Sequence, residues 1–144
     1  FVIHWHLLGM FAPSFVTGHI INRFGSLRVI ITGVFLMIFC IVINIVGVDV
    51  LNFRVSLVLL GVGWNFMFVG GTHLLTNTYT AAERTKVQGT NDFLVFSFVA
   101  LGTLSSGFIQ HSFGWSWVNL GVLPPLLVVL ASVVWLSLQK TASR

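Results

Sequence analysis

The stretch Gly18-His19-Ile20-Ile21-Asn22-Arg23-Phe24-Gly25-Ser26-Leu27-Arg28 is a short basic turn between two long apolar runs. It holds two of the seven Lys and Arg residues, a glycine at position 25 breaks the helix, and apolar sequence resumes at Val29 and runs to Val48. Such a turn reads as the hairpin loop between two membrane-spanning helices. It also has a side, because short loops carrying Lys and Arg stay on the cytoplasmic face.

Composition agrees with that reading. Hydrophobic residues make up 56% of the 144 positions and charged residues 7%, with a mean hydropathy of +1.00, whereas about a quarter of a soluble domain is charged. The length leaves room for about five spans, at roughly 20 apolar residues each plus a turn. A net charge of +4 would suggest nucleic acid in a soluble domain, but the positives are scattered at helix ends rather than gathered in a patch. No basic segment precedes an isolated apolar core with a cleavage site, so no signal peptide is indicated. The chain opens at Phe1 inside an apolar run, and a fragment or processed piece is expected. Cys40 stands alone in an apolar helix, where it acts as a small packing residue.

Hydrophobic patterning predicts an all-α membrane protein with five helices at about 1–21, 28–48, 54–77, 91–111 and 116–138, in a single domain over 1–144. An alternating path places Arg23, Arg28, Arg84, Lys86, Lys140 and Arg144 on one face and Arg54 on the other. That asymmetry supports the segmentation and the orientation together, with the C-terminus cytoplasmic in the cell (plasma or inner) membrane. An internal repeat adds to it: Gly18, Phe24, Gly25 and Val29 recur at the same spacing as Gly107, Phe113, Gly114 and Val118. The offset holds three helices, an odd number, so the second copy is inverted in the membrane. Inverted three-helix repeats build each half of facilitator-type transporters.

The loop resembles the signature of the major facilitator superfamily, in which a glycine is followed by an acid–arginine pair, a second glycine and a basic cluster. Gly18, Asn22, Arg23, Gly25 and Arg28 stand at the matching positions. The family's acid is Asn22 here, and two positions that are often basic are Ser26 and Leu27. The resemblance implies that the chain holds the last five helices of a twelve-helix secondary transporter and part of a six-helix bundle. Its partners would be a small solute, the bilayer and a missing N-terminal half, with a proton as candidate coupling ion. It also implies that the first, third and fourth helices line a central cavity while the other two sit outside.

Polarity along the chain makes the same division. The helices at 28–48 and 116–138 are almost uniformly apolar and suit lipid, whereas the other three carry polar groups that are costly in hydrocarbon and belong on a bundle interior or aqueous cavity. His6, Asn65, Thr72, His73 and Thr103 are the pathway candidates. Gly61, Asn65, Thr72 and Thr76 fall on one helical stripe, and Asp92, Phe96, Val99, Thr103, Ser106 and Gln110 on another. Gly61, Gly63, Gly70 and Gly71, with the pairs Gly102/Ser106 and Thr103/Gly107, read as small-residue contacts that let helices approach closely.

Asp92 is the acid nearest a span. It is read first as a cap at a helix start, where the dipole stabilises a carboxylate, and second as a coupling acid. The run Glu83-Arg84-Thr85-Lys86-Val87-Gln88 reads as a solvated cytoplasmic turn. His73 is read first as a partner in an interhelical hydrogen bond and second as the best proton-relay candidate. The five histidines show no metal-ligand spacing and no acid to complete a site, no nucleophile constellation or phosphate loop is present, and no cofactor is implied. Pro13 should kink its helix, and Pro124-Pro125 should bend the last one. The function expected is solute transport by alternating access, not enzymatic chemistry; a non-transporting membrane scaffold is the alternative.

Overall fold

A computed structural model describes residues 2–47 and 49–142, so Phe1, Val48 and Arg144, named in the sequence reading, lie outside the described residues. Among the described residues seven helices follow one another: α1 Val2–Phe11, α2 Ser14–Phe24, α3 Ser26–Val46, α4 Val50–Leu75, α5 Arg84–Phe113, α6 Trp115–Leu120 and α7 Leu123–Ala142.

The expected first helix is therefore two short ones, and the cause is Pro13. Proline has no N–H to give the carbonyl four residues back, and its ring crowds that turn. The chain restarts with Val16 and Thr17 N–H groups both donating to the Pro13 carbonyl at 2.9 and 2.8 Å. Among the described residues four stretches are long and apolar enough to span a membrane: Ser26–Val46, Val50–Leu75, Arg84–Phe113 and Trp115–Lys140. Against the five helices expected, the structure has these four and, over 2–24, a pair of short helices broken at the proline that was expected only to kink its helix.

Two other boundaries moved. The fourth expected helix starts at Arg84 rather than near 91, which turns most of the supposed cytoplasmic loop into helix. Thr80-Ala81-Ala82-Glu83 has the spacing of a capping box, and the backbone N–H and hydroxyl of Thr80 both donate to Glu83 Oε2 at 3.1 and 2.8 Å. Those bonds hold the exposed Glu83 carboxyl below its ordinary pKa. The last expected helix, 116–138, turns at Gly121-Val122, so Trp115–Leu120 forms its own short helix before Pro124 and Pro125 enter the first turn of α7, where proline is tolerated.

Gly25 alone joins α2 to α3, with φ 84° and ψ 150°, and Gly114 alone joins α5 to α6, with φ 88° and ψ 178°. This region is nearly closed to residues with a Cβ. Gly25→Ala should therefore cost about 1–3 kcal/mol, read as a lower unfolding temperature in detergent, although open space surrounds the position.

The core lies between α3 and α4. Val34, Met37 and Ile41 of α3 meet Leu126 of α7, with Leu60, Trp64 and Met67 of α4 packed against them. Backbones touch where side chains are absent: a Cβ on Gly33 would sit 2.9 Å from the Gly63 carbonyl oxygen, and one on Gly63 would sit 3.0 Å from that of Gly33. The reading of α3 as a lipid helix needs correction on this side. It carries the most buried residues of any helix, while Phe35, Phe39, Val42 and Ile45 on its other face are exposed. Uniform apolarity cannot tell these faces apart, since side chains packed on protein and side chains packed on lipid have the same chemistry.

Helix α5 has no buried residue and meets α4 through the tilted rings of Phe96 and Phe68, 6.4 Å apart. The close packing expected at Gly102 and Gly107 is not made within this chain, because a Cβ at either would find nothing within 4 Å.

Candidate functional site

Asn65, on the buried face of α4, is the centre of a hydrogen-bond cluster that crosses to the broken helix. Its Nδ2 donates to the Met10 carbonyl at 2.7 Å and to Ser14 Oγ at 2.6 Å, and its Oδ1 accepts from Thr17 Oγ1 at 2.7 Å. Thr17 is fully buried and Asn65 is 4% exposed. Breaking a helix at a proline leaves backbone carbonyls without partners, and in a low-dielectric interior those must be satisfied by a neighbour. Asn65 supplies that partner. One turn earlier on α4, Gly61 brings the backbones together: a Cβ there would lie 2.5 Å from the His6 carbonyl oxygen and 2.8 Å from Gly9 C.

Beside this cluster is a cavity of about 470 Å³, within the usual size for a small-ligand pocket. Its walls come from α1, α2, α3, α4 and α5, and include His6, Met10, Ser14, Trp64, Phe68 and Phe96. Trp64 and Phe68, one turn apart on α4, stack almost parallel at 6.0 Å and 9°. His6 Nδ1 lies 3.2 Å from the Leu57 carbonyl; a carbonyl only accepts, so Nδ1 carries a proton, and in the neutral ring Nε2 is then the acceptor.

Of the pathway candidates, His6 and Asn65 meet at this cavity, with Asn65's amide already engaged. Thr72, His73 and Thr103 are not among its lining residues. The Thr72 hydroxyl is buried without a hydrogen-bond partner, Thr103 Oγ1 donates back to the Val99 carbonyl, and His73 Nδ1 lies 2.8 Å from Ser26 Oγ at the other end of α4. Asp92 sits within the third turn of α5 and accepts from Asn91 Nδ2 at 3.2 Å, which removes the helix-start cap proposed for it. In the loop motif Gly18 and Asn22 are exposed, the Arg23 guanidinium lies 5.4 Å from the Phe24 ring centre, and the Arg28 carbonyl accepts from Thr32. Among the described residues no three His, Cys, Asp or Glu side chains gather as a metal site would need.

The sequence reading missed the aromatic wall. Phe96 was placed on a stripe, but Trp64 and Phe68 were passed over, and their four-residue spacing on a polar helix was the available signal.

Comparison with known proteins extends over almost the whole chain. The family model of the Major Facilitator Superfamily matches residues 2–144. The riboflavin transporter RfnT of Brucella anthropi is 44% identical over 132 residues, covering 92% of this chain and 33% of that protein. The uncharacterized MFS-type transporters YdeG and YddS of Bacillus subtilis are each 34% identical over 93% of this chain, which covers 32% and 31% of them. The chain thus spans about a third of the length of these curated relatives, and no solved structure matches it. With the apolar spans and a family match across residues 2–144, the chain belongs to the major facilitator superfamily.

Proposed function

We propose that the chain is the C-terminal part of a secondary transporter, the last five of twelve helices, which moves riboflavin or a similarly flat heteroaromatic solute by alternating access. The observation that carries the solute class is the cavity wall of Trp64, Phe68 and Phe96, read together with the 44% identity to a riboflavin transporter. Stacked and edge-on aromatic faces suit a fused planar ring system, and His6 Nε2 offers an acceptor to a ring N–H or a sugar-alcohol hydroxyl. His6 and Asn65 mark the solute pathway, Thr72 and Thr103 extend it, and Asp92 is the acid to test for proton coupling. The two glycines with matching backbone angles, Gly25 and Gly114, support an inverted repeat.

Uptake of labelled riboflavin by cells making the complete transporter should be saturable. Trp64→Ala should raise KM about tenfold with protein level unchanged, since losing an aromatic stack and its buried area costs roughly 1–2 kcal/mol. Transport of other solutes with riboflavin ignored would reject the solute, and no solute movement at all would favour a scaffold. The chain expressed alone should not transport.

Orientation in the plasma or inner membrane is tested separately, in a Cys40→Ala background. A cysteine at Asp49 should react with an impermeant thiol reagent added outside cells, and one at Thr85 should react only after the membrane is opened. The reverse pattern would turn the topology over.

A further inference from the structure

Arg23 and Arg28, which mark the cytoplasmic side of the turn after α2, share a second hollow with Lys140 from the end of α7. The recess has a volume of about 760 Å³, and Ser26, His73 and Asn77 also line it. A topology signal requires only that basic residues lie on one side of the membrane. It does not require three of them, from the two ends of the chain, to surround one space. Among the described residues that line it there is no Asp or Glu to balance the two guanidinium groups. The floor is set by the 2.8 Å contact between Ser26 Oγ and His73 Nδ1, which joins the start of α3 to the end of α4.

The same recess is partly apolar. Phe24, Leu27 and Leu74 line it beside the cations, and the adjoining α7 exposes Val134 and Leu138. A free anion gains nothing from apolar neighbours, whereas a phospholipid places its phosphate among cations and its glycerol and chains along apolar surface. Arginine is the residue best matched to phosphate, through paired N–H groups in a planar fork, and basic pockets between helix ends on the cytoplasmic side are where anionic headgroups collect.

We propose that this recess is a binding site for the phosphate headgroup of an anionic phospholipid, with Arg23 and Arg28 holding the phosphate. The site is separate from the aromatic cavity, so it stands whatever solute the transporter moves.

The test uses the complete transporter in neutral detergent, with dioleoyl phosphatidylglycerol, dioleoyl phosphatidylcholine or inorganic phosphate added singly. Native mass spectrometry reads retention and thermal unfolding reads protection. Phosphatidylglycerol should be retained and should raise the unfolding temperature; the other two should not. The double variant Arg23→Gln/Arg28→Gln should bind phosphatidylglycerol about 25-fold more weakly, at about fivefold per charge removed. Arg84→Gln, on the same side but outside the recess, should leave binding unchanged. The pair Arg23→Lys/Arg28→Lys keeps the charge and should lose only a few-fold, which separates a lost site from a misfolded protein. Equal retention of phosphatidylcholine, equal weakening by Arg84→Gln, or unchanged binding in the double glutamine variant would overturn the proposal. Protection by inorganic phosphate to the same degree as by the lipid would replace the headgroup with a free anion and overturn it as well.

Discussion

Gly61→Leu is expected to separate the broken helix from α4 and to abolish recovery of folded protein. The contact it destroys is backbone against backbone. A Cβ at position 61 would stand 2.5 Å from the His6 carbonyl oxygen, 2.8 Å from Gly9 C and 2.8 Å from Met10 N, and none of these atoms can swing aside as the end of a side chain would. Even Gly61→Ala must push α1 outward, at a cost of about 1–3 kcal/mol for an overpacked contact; leucine adds three more carbons to a space that has none. The displacement would also pull Met10 and Ser14 away from Asn65, so the packing and hydrogen-bond losses fall together. Thermal unfolding in detergent, with size-exclusion profiles as a check, measures the effect. Gly71→Leu is the control, because nothing lies within 4 Å of a Cβ there. Equal behaviour of the two variants would remove the close approach as the basis of α1–α4 packing.

Asn65→Leu should be the next most damaging change, for a chemical rather than a steric reason. It deletes three hydrogen bonds at once and leaves the Met10 carbonyl and the buried Thr17 hydroxyl short of partners. Interhelical hydrogen bonds in membranes average about 0.6 kcal/mol each, and a buried group left unsatisfied costs about 1–3 kcal/mol, so a total of about 3–5 kcal/mol is expected. The single Thr17 hydroxyl proton is shared between Asn65 Oδ1 and the Pro13 carbonyl at 2.8 Å and can pass wholly to the latter, which limits the loss on that side. Asn65→Gln should recover little, because the longer side chain moves the amide away from Met10. If the cluster holds the α1–α2 break in one geometry, Asn65→Leu should also lower riboflavin uptake by the complete transporter beyond the loss in protein level. Unchanged stability and uptake would mean that water satisfies the break as well as Asn65 does.

The apolar spans and the family were legible from residue types and spacing alone, whereas the hairpin loop read at 18–28 is helix on both sides of Gly25, which alone makes the turn. Charge asymmetry and hydropathy are properties that lipid imposes on the sequence directly, helix by helix. The break at Pro13 was legible for a similar reason, since a missing N–H acts on its own turn wherever the helix packs. The start of α5 was not. The Thr80–Glu83 box was overlooked, and Asp92 took the cap role that the structure denies it.

Asn65 shows where residue-by-residue reading stops. Its polarity on an apolar helix marked it for an interior position, and it is interior, but its amide is spent on the carbonyl freed at a helix break 55 residues earlier in the chain. Nothing local to Asn65 names that partner. The same holds for Gly33 against Gly63 and Gly9 against Gly61, where a glycine is a contact only if another backbone arrives; Gly102 and Gly107 have the same spacing signals and meet nothing within the chain. Sequence by itself determined that these helices cross a membrane, and it read the basic turns as lying on one side, because the bilayer acts on each segment separately. Only the tertiary structure decided which polar groups bond each other and which aromatic rings share a cavity, because those are pairings between segments, and a segment's own composition is the same whichever partner it meets.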